Sequence, residues 1–260
     1  MKKIVSMLSL ILGFLILLNL SVFSESTFNW YCVRNREHKQ PLADANMRFI
    51  EQYDGYYIDR THGDDCEDKV IYLTFDAGYE NGNVSKILDI LKEKNATGAF
   101  FVLGNLIRRN PELIKRMEQE GHMVANHTTN HKDITKYQSA DELKQDLETL
   151  ESLYYETTGK SMSKFFRPPE GKFSERSMKF AKDLGYTTVF WSIAYADWDN
   201  NHQPDEETAM TKITDHIHNG AILLLHPTSE TNVKILGRLI DTLQAQGYRF
   251  GSLTELTDHV

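Results

Sequence analysis

The chain has 260 residues, 40% of them hydrophobic, which suffices for a sizeable core in one domain of barrel size. A formal net charge of -8 with no lysine-arginine cluster argues against nucleic acid as substrate, because neutralising phosphates needs a basic face; an uncharged carbohydrate or an anionic wall polymer is left open. The two cysteines, Cys32 and Cys66, lack zinc-site spacing, and outside the cytoplasm a disulfide between them is chemically allowed but not required.

Met1-Lys2-Lys3 and the uncharged apolar run from Ile4 to Phe23 have the charged start and apolar middle of an export signal, so residues 1–24 predict a protein that leaves the cytoplasm. Val22-Phe23-Ser24 offers a cleavage site, yet a run of ~20 residues can also span a bilayer, so the alternative is a retained membrane anchor. Residues 25–68 are polar and aromatic, without long apolar periodicity, and read as an irregular N-terminal wrap. From there apolar runs and helical patterns alternate. Strand Val70–Thr74 precedes helix Val84–Lys94, strand Thr97–Leu103 precedes helix Pro111–Glu120, and strand His122–Asn126 precedes helix Ala140–Thr157. Strand Lys164–Arg167 and a helix from Glu175 to Leu184 follow, then strand Thr187–Ser192, a helix from Glu206 to His218, strand Ala221–Leu225, a helix from Val233 to Gln246, and strand Tyr248–Ser252. About seven strand-helix repeats predict an α/β fold in residues 69–260, a parallel sheet covered by helices and either open or closed as a barrel.

Five short polar motifs stand at or just after the expected strands: Thr74-Phe75-Asp76-Ala77-Gly78, His127-Thr128-Thr129-Asn130-His131, Arg167-Pro168-Pro169-Glu170-Gly171, Trp191 with Asp197-Trp198, and Leu224-Leu225-His226. Carboxyl ends of parallel strands are where such folds build sites, and this set holds the parts that activate water and protonate a leaving group. Asp76 at a strand rim suits a general base, or else a cap for the next helix. His127 and His131, four apart, suit a divalent metal, or else are exposed loop residues. Arg167, stiffened by two prolines, suits a guanidinium aimed at Asp76, or else a surface ion pair. His226, stopped by Pro227, suits a general acid if Asp197 orients it, or else a structural histidine. Trp191 and Trp198 suit a sugar subsite, or else core packing.

In this order the motifs resemble the polysaccharide deacetylases of carbohydrate esterase family 4, over about Lys69 to the end. Asn29-Trp30, the stretch from Thr74 to Gly82, and Arg167 to Glu175 look closer still to the delta-lactam-biosynthetic de-N-acetylases, which act on N-acetylmuramic acid in spore cortex peptidoglycan. The resemblance implies a distorted (β/α) barrel and an N-deacetylase with Asp76 as base, His226 as acid, Arg167 orienting Asp76, and Asp197 tuning His226. It further implies His127 and His131 as ligands of a divalent metal, zinc first and cobalt or manganese as alternatives. Tyr79, the backbone N–H of Glu170 and Leu224, at the acetyl methyl, would meet substrate. It also implies a peptidoglycan strand as partner, prior action of an amidase on the peptide stems, and an extracytoplasmic place such as the forespore intermembrane space. Ala77 stands where most members carry a metal-binding aspartate; its small side chain is expected to leave room for the lactyl branch of muramic acid. The alternatives are an N-acetylglucosamine, chitin or xylan deacetylase, and a wall-binding pseudoenzyme.

Overall fold

The computed structural model describes residues 25–258; the expected export segment lies outside the described residues. In chain order the strands are β1 (Thr27–Asn29), β2 (Cys32–Val33), β3 (Leu42–Ala43), β4 (Gly55–Tyr56), β5 (Lys69–Ala77), β6 (Ala99–Val102), β7 (Met123–Asn126), β8 (Phe165–Phe166), β9 (Lys172–Ser174), β10 (Thr187–Val189), β11 (Ala221–Leu225) and β12 (Tyr248–Phe250). The α-helices are α1 (Val84–Glu93), α2 (Gly104–Arg109), α3 (Pro111–Gln119), α4 (Ala140–Thr158), α5 (Glu175–Asp183), α6 (Glu206–Thr214) and α7 (Glu230–Ala245). Among the described residues no helix is long and apolar enough to cross a membrane.

All seven strands expected from the sequence join one sheet, in the order β11-β5-β6-β7-β8-β10-β4, with β12 also on β5 and every ladder parallel. Ile71 pairs with both Ala221 and Phe250, so β12 takes the edge of β5 opposite β11, below the stretch that β6 takes from Thr74. Isolated bridges Ile58–Ala221 and Ile193–Leu223 bring the two ends of the sheet together as a distorted barrel. The eighth strand, β4, corrects the reading of residues 25–68 as an irregular wrap. That segment also forms a 3₁₀ helix, Ala45–Tyr53, and pairs β1 with β9. Its cluster of Trp30, Ile50, Tyr57, Phe173 and Phe190 is a satellite core of the barrel.

Helices lie outside because their apolar residues recur at helical spacing: α1 buries Val84, Ile87, Leu88 and Leu91. On β5 alternation separates two faces. Leu73, Phe75 and Ala77 join the helix-covered cluster, while Val70 and Tyr72 join the barrel interior, so Thr74 and Asp76 continue that interior row towards the carboxyl mouth. Cys32 and Cys66 are both free thiols, so the permitted disulfide is not formed. Cys32 packs against the satellite core, its thiol donating to the Ser192 carbonyl at 3.3 Å and pushed up to about 11 by burial.

Candidate active site

All five motifs meet at the carboxyl mouth. Asp76 is the last interior residue of β5, and Arg167 follows β8 directly. The Arg167 guanidinium is fully buried and donates from Nη1 to Asp76 Oδ1 at 2.7 Å. Three of its other four N–H groups go to Thr74 Oγ1 at 2.9 Å and the carbonyls of Val189 at 2.9 Å and Phe190 at 3.2 Å, while Cζ sits 4.1 Å over the Phe101 ring. A planar fork with this many fixed partners holds one carboxylate orientation. Burial alone would raise Asp76, but Arg167, His127 and His226 outweigh it and hold it below the ordinary carboxylate range.

His127 follows β7, and its Nδ1 lies 2.8 Å from the Arg167 carbonyl. A carbonyl only accepts, so Nδ1 carries the proton and Nε2 turns a lone pair towards the site, 3.5 Å from Asp76 Oδ2. Burial pushes His127 down to about 4 against the pull of Asp76, which keeps the imidazole neutral. The His131 ring centroid is 5.1 Å away. The two come together across a tight loop rather than along a helix, with Thr128 and His131 at positive φ of 68° and 57°. A β-branched residue in that region is strained, and such strain gathers at functional sites.

His226 is held by a buried carboxylate. Asp197 accepts from His226 Nδ1 at 2.7 Å through Oδ1, and from the His226 backbone N–H at 2.8 Å through Oδ2. Burial would lower His226, but the hydrogen bond and charge of Asp197, with Asp76 beyond, raise it above the ordinary histidine value. Its Nε2 meets no hydrogen-bond partner among the described residues, and the side chain is 25% exposed. The mouth therefore pairs a depressed carboxylate with a raised imidazole, the division of labour of a base and an acid.

Residues 63–189 match the family model described as polysaccharide deacetylase. The peptidoglycan-N-acetylmuramic acid deacetylase PdaA of Bacillus subtilis is 42% identical over 229 residues, 88% of this chain and 85% of that protein. The chain belongs to the polysaccharide deacetylase family. The solved structure of PdaA, a family 4 carbohydrate esterase, superimposes with a TM-score of 0.83 over 89% of this chain and 97% of that one, at 41% identity. A peptidoglycan-N-acetylglucosamine deacetylase of Bacillus cereus is 34% identical over 73% of this chain and 88% of its own length.

Within this deacetylase fold the remaining expected residues divide. Leu224, 4% exposed, pairs with Thr74 and shares the interior side of β11 with Ile222, so it lies beside the Asp76 row. Glu170 stands at the rim with φ 59°, and Gly171 follows at φ 63°, where a Cβ would meet Trp191 at 2.7 Å; only glycine suits that position. Trp191 is half-buried, packs with the interior and satellite clusters, and puts its ring 5.7 Å from Arg167, so it supports the site rather than forming an open sugar face. Trp198 and Tyr79 are 65% and 44% exposed at the rim, and Tyr79 Oη accepts from Asn200 at 2.6 Å.

Ala77 overturns an expectation. It is fully buried in the helix-covered cluster, on the face of β5 opposite Asp76, and so leaves no open room for a substrate branch. Among the described residues no three His, Cys, Asp or Glu side chains have metal-ligand spacing. A neutral imidazole with its lone pair aimed inwards and a second imidazole beside it still fit a divalent ion as two ligands. Sequence reasoning missed Asn232, buried in the first turn of α7, which donates to Asp197 Oδ2 at 2.6 Å and to the His226 carbonyl at 3.0 Å and accepts from Tyr195. No sequence signal marks it, because its role depends on three segments meeting.

Proposed function

We propose that the protein is a metal-dependent peptidoglycan N-deacetylase that removes the acetyl group of N-acetylmuramic acid. The observation that carries this is the pairing at one mouth of Asp76, held ionised by Arg167, with His226, held protonatable by Asp197. Similarity to PdaA over most of both chains supports the muramic substrate. Asp76 takes the proton of the attacking water, and His226 gives its Nε2 proton to the departing sugar amine, so acetate leaves. Leu224 accommodates the acetyl methyl, and the backbone N–H of Glu170 faces the developing oxyanion. His127 and His131 would hold the divalent cation, zinc with cobalt and manganese as alternatives, which supplies Lewis acidity and acidifies water when bound.

In this reading the freed amine attacks the lactyl carboxyl of the same residue and water leaves, closing a delta-lactam through intramolecular proximity. That requires an amidase to have removed the peptide stem first. Residues 1–24 would place the activity outside the cytoplasm, secreted or anchored at the membrane, with spore cortex as the setting.

The test is mass spectrometry of peptide-free and peptide-bearing glycan strands incubated with the protein and each metal, with Asp76→Asn as control. Acetyl loss from muramic acid, followed by loss of water, is the expected result. Acetyl loss from N-acetylglucosamine instead would support the reading that the Bacillus cereus relative favours. No change on either strand would return the protein to the wall-binding class.

A further inference from the structure

The ladder between β5 and β11 stops just short of the chemistry. Its last register pair is Phe75 with Leu225, so Asp76 and His226 are the first positions beyond it, and Pro227 has no N–H with which to continue. Another device must hold the two strands' ends in register. The loop after β5 provides one: Asn81 Nδ2 and Asn83 Nδ2 both donate to the Thr228 carbonyl, each at 2.9 Å. Thr228 lies two residues beyond His226. The same loop reaches the other half of the acid pair, since Tyr79 accepts from Asn200, three residues past Asp197.

Asn83 shows that this bond displaces a local preference. It occupies the N-cap of α1, where an asparagine side chain ordinarily accepts from the helix N-terminus, yet it makes no capping hydrogen bond. Glu80 does that work, accepting from the backbone of Gly82 and Val84 at 2.9 Å each. A residue that gives up its own helix cap to bridge two loops is the kind of local exception that functional sites carry.

We propose that Asn81 and Asn83 are positioning residues, which set the span between Asp76 and His226 by clamping the Thr228 carbonyl. The proposal rests on the deacetylase reading. In the full-length protein, Asn81→Ala/Asn83→Ala is expected to lower kcat on peptide-free glycan oligomers ~30-fold with KM within ~2-fold, since small misplacements of catalytic groups cost this much. Backbone hydrogen exchange of residues 226–229 rises in the same variant. Asn81→Asp/Asn83→Asp keeps the side-chain size and the acceptor oxygens, including that of Asn81 for the Asn83 N–H, but loses both donors to Thr228, so its melting temperature holds while kcat falls. Unchanged exchange at 226–229 in the double alanine variant overturns the clamp, as does an Asn81→Asp/Asn83→Asp enzyme with full kcat. Should the wild-type protein deacetylate nothing, the deacetylase reading fails by itself, and the exchange measurement still decides the clamp.

Discussion

Two histidine-aspartate pairs sit at opposite ends of this barrel, joined by the interior row of β5. At the base, Asp59 is 2% exposed and accepts from Tyr72 at 2.5 Å, from His62 Nδ1 at 2.5 Å and from the Thr61 N–H at 2.8 Å. The other nitrogen of His62 meets Asp68 at 3.2 Å, and Arg249 binds both Asp68 and Glu255. At the mouth, His226 likewise has a carboxylate, that of Asp197, on Nδ1 but nothing on Nε2. The chemistry of the side chains is alike; the difference is one unspent nitrogen. Both ring nitrogens of His62 are committed, so it holds structure together, whereas His226 is oriented on one side and available on the other. His218, bonded at both nitrogens to the Asn219 carbonyl and Ser192, belongs with His62.

The largest expected effects come from exchanging the roles. His226→Ala should lower kcat by about 10²–10⁴ and cost about 1–3 kcal/mol, since buried Asp197 loses its Nδ1 donor. His62→Ala should leave kcat within ~2-fold and cost about 1–3 kcal/mol, since buried Asp59 loses a donor. Steady-state kinetics separate the two variants where thermal melts do not. A folded His62→Ala protein that no longer turns over would break the comparison.

A smaller effect separates orientation from charge. The active form needs Asp76 ionised and His226 protonated, so activity rises on the acid side through the lowered Asp76 value and falls on the alkaline side through the raised His226 value. Asp197→Asn removes the charge that raises His226. Its alkaline limb should move down towards the ordinary value of about 6.5, with kcat reduced roughly 10- to 1,000-fold. The sign for stability agrees. A histidine with a raised folded value contributes stability that is fully present below about 6.5 and lost as pH rises through that folded value. The variant's melting deficit should therefore be largest in acid and shrink in alkali. A deficit that does not change with pH would mean that Asp197 acts by packing alone.

The sequence carried the mouth more clearly than the base. Asp76, His127, Arg167 and His226 each end a run of strand-like residues, and parallel strands bring their carboxyl ends together whatever their order, so position alone gathered them. The pairing of His226 with Asp197, 29 residues upstream, could be read only as a condition, because no local pattern brings the two segments together. The base cluster draws on Asp59, Tyr72 and Arg249 from three segments, with no local pattern. Likewise β4 has two residues and α2 has six, too short for periodicity to register. Ala77 misled because its neighbour Asp76 faces the site, and alternation along the strand turns the next side chain to the helices.

The smallest effect concerns the two tryptophans expected to line a sugar subsite. Trp191 closes over Gly171 beside Arg167, and its carbonyl accepts from Trp30 Nε1 at 2.8 Å, so alanine there removes packing shared by barrel and satellite core. Trp191→Ala should destabilise by about 3–5 kcal/mol and disturb kcat through Arg167. Trp198 is exposed and has no such duty. If a sugar face stacks on Trp198 as well as a second aromatic ring does, about 0.5–1.5 kcal/mol, Trp198→Ala should raise KM roughly 2- to 12-fold with kcat and melting temperature unmoved. Kinetics on glycan oligomers of increasing length make the argument sharper. If Trp198 binds a sugar next to the reacting one, the KM penalty is absent for the shortest oligomer and appears only when a chain is long enough to reach it. A penalty equal at all lengths would place Trp198 against the reacting sugar itself.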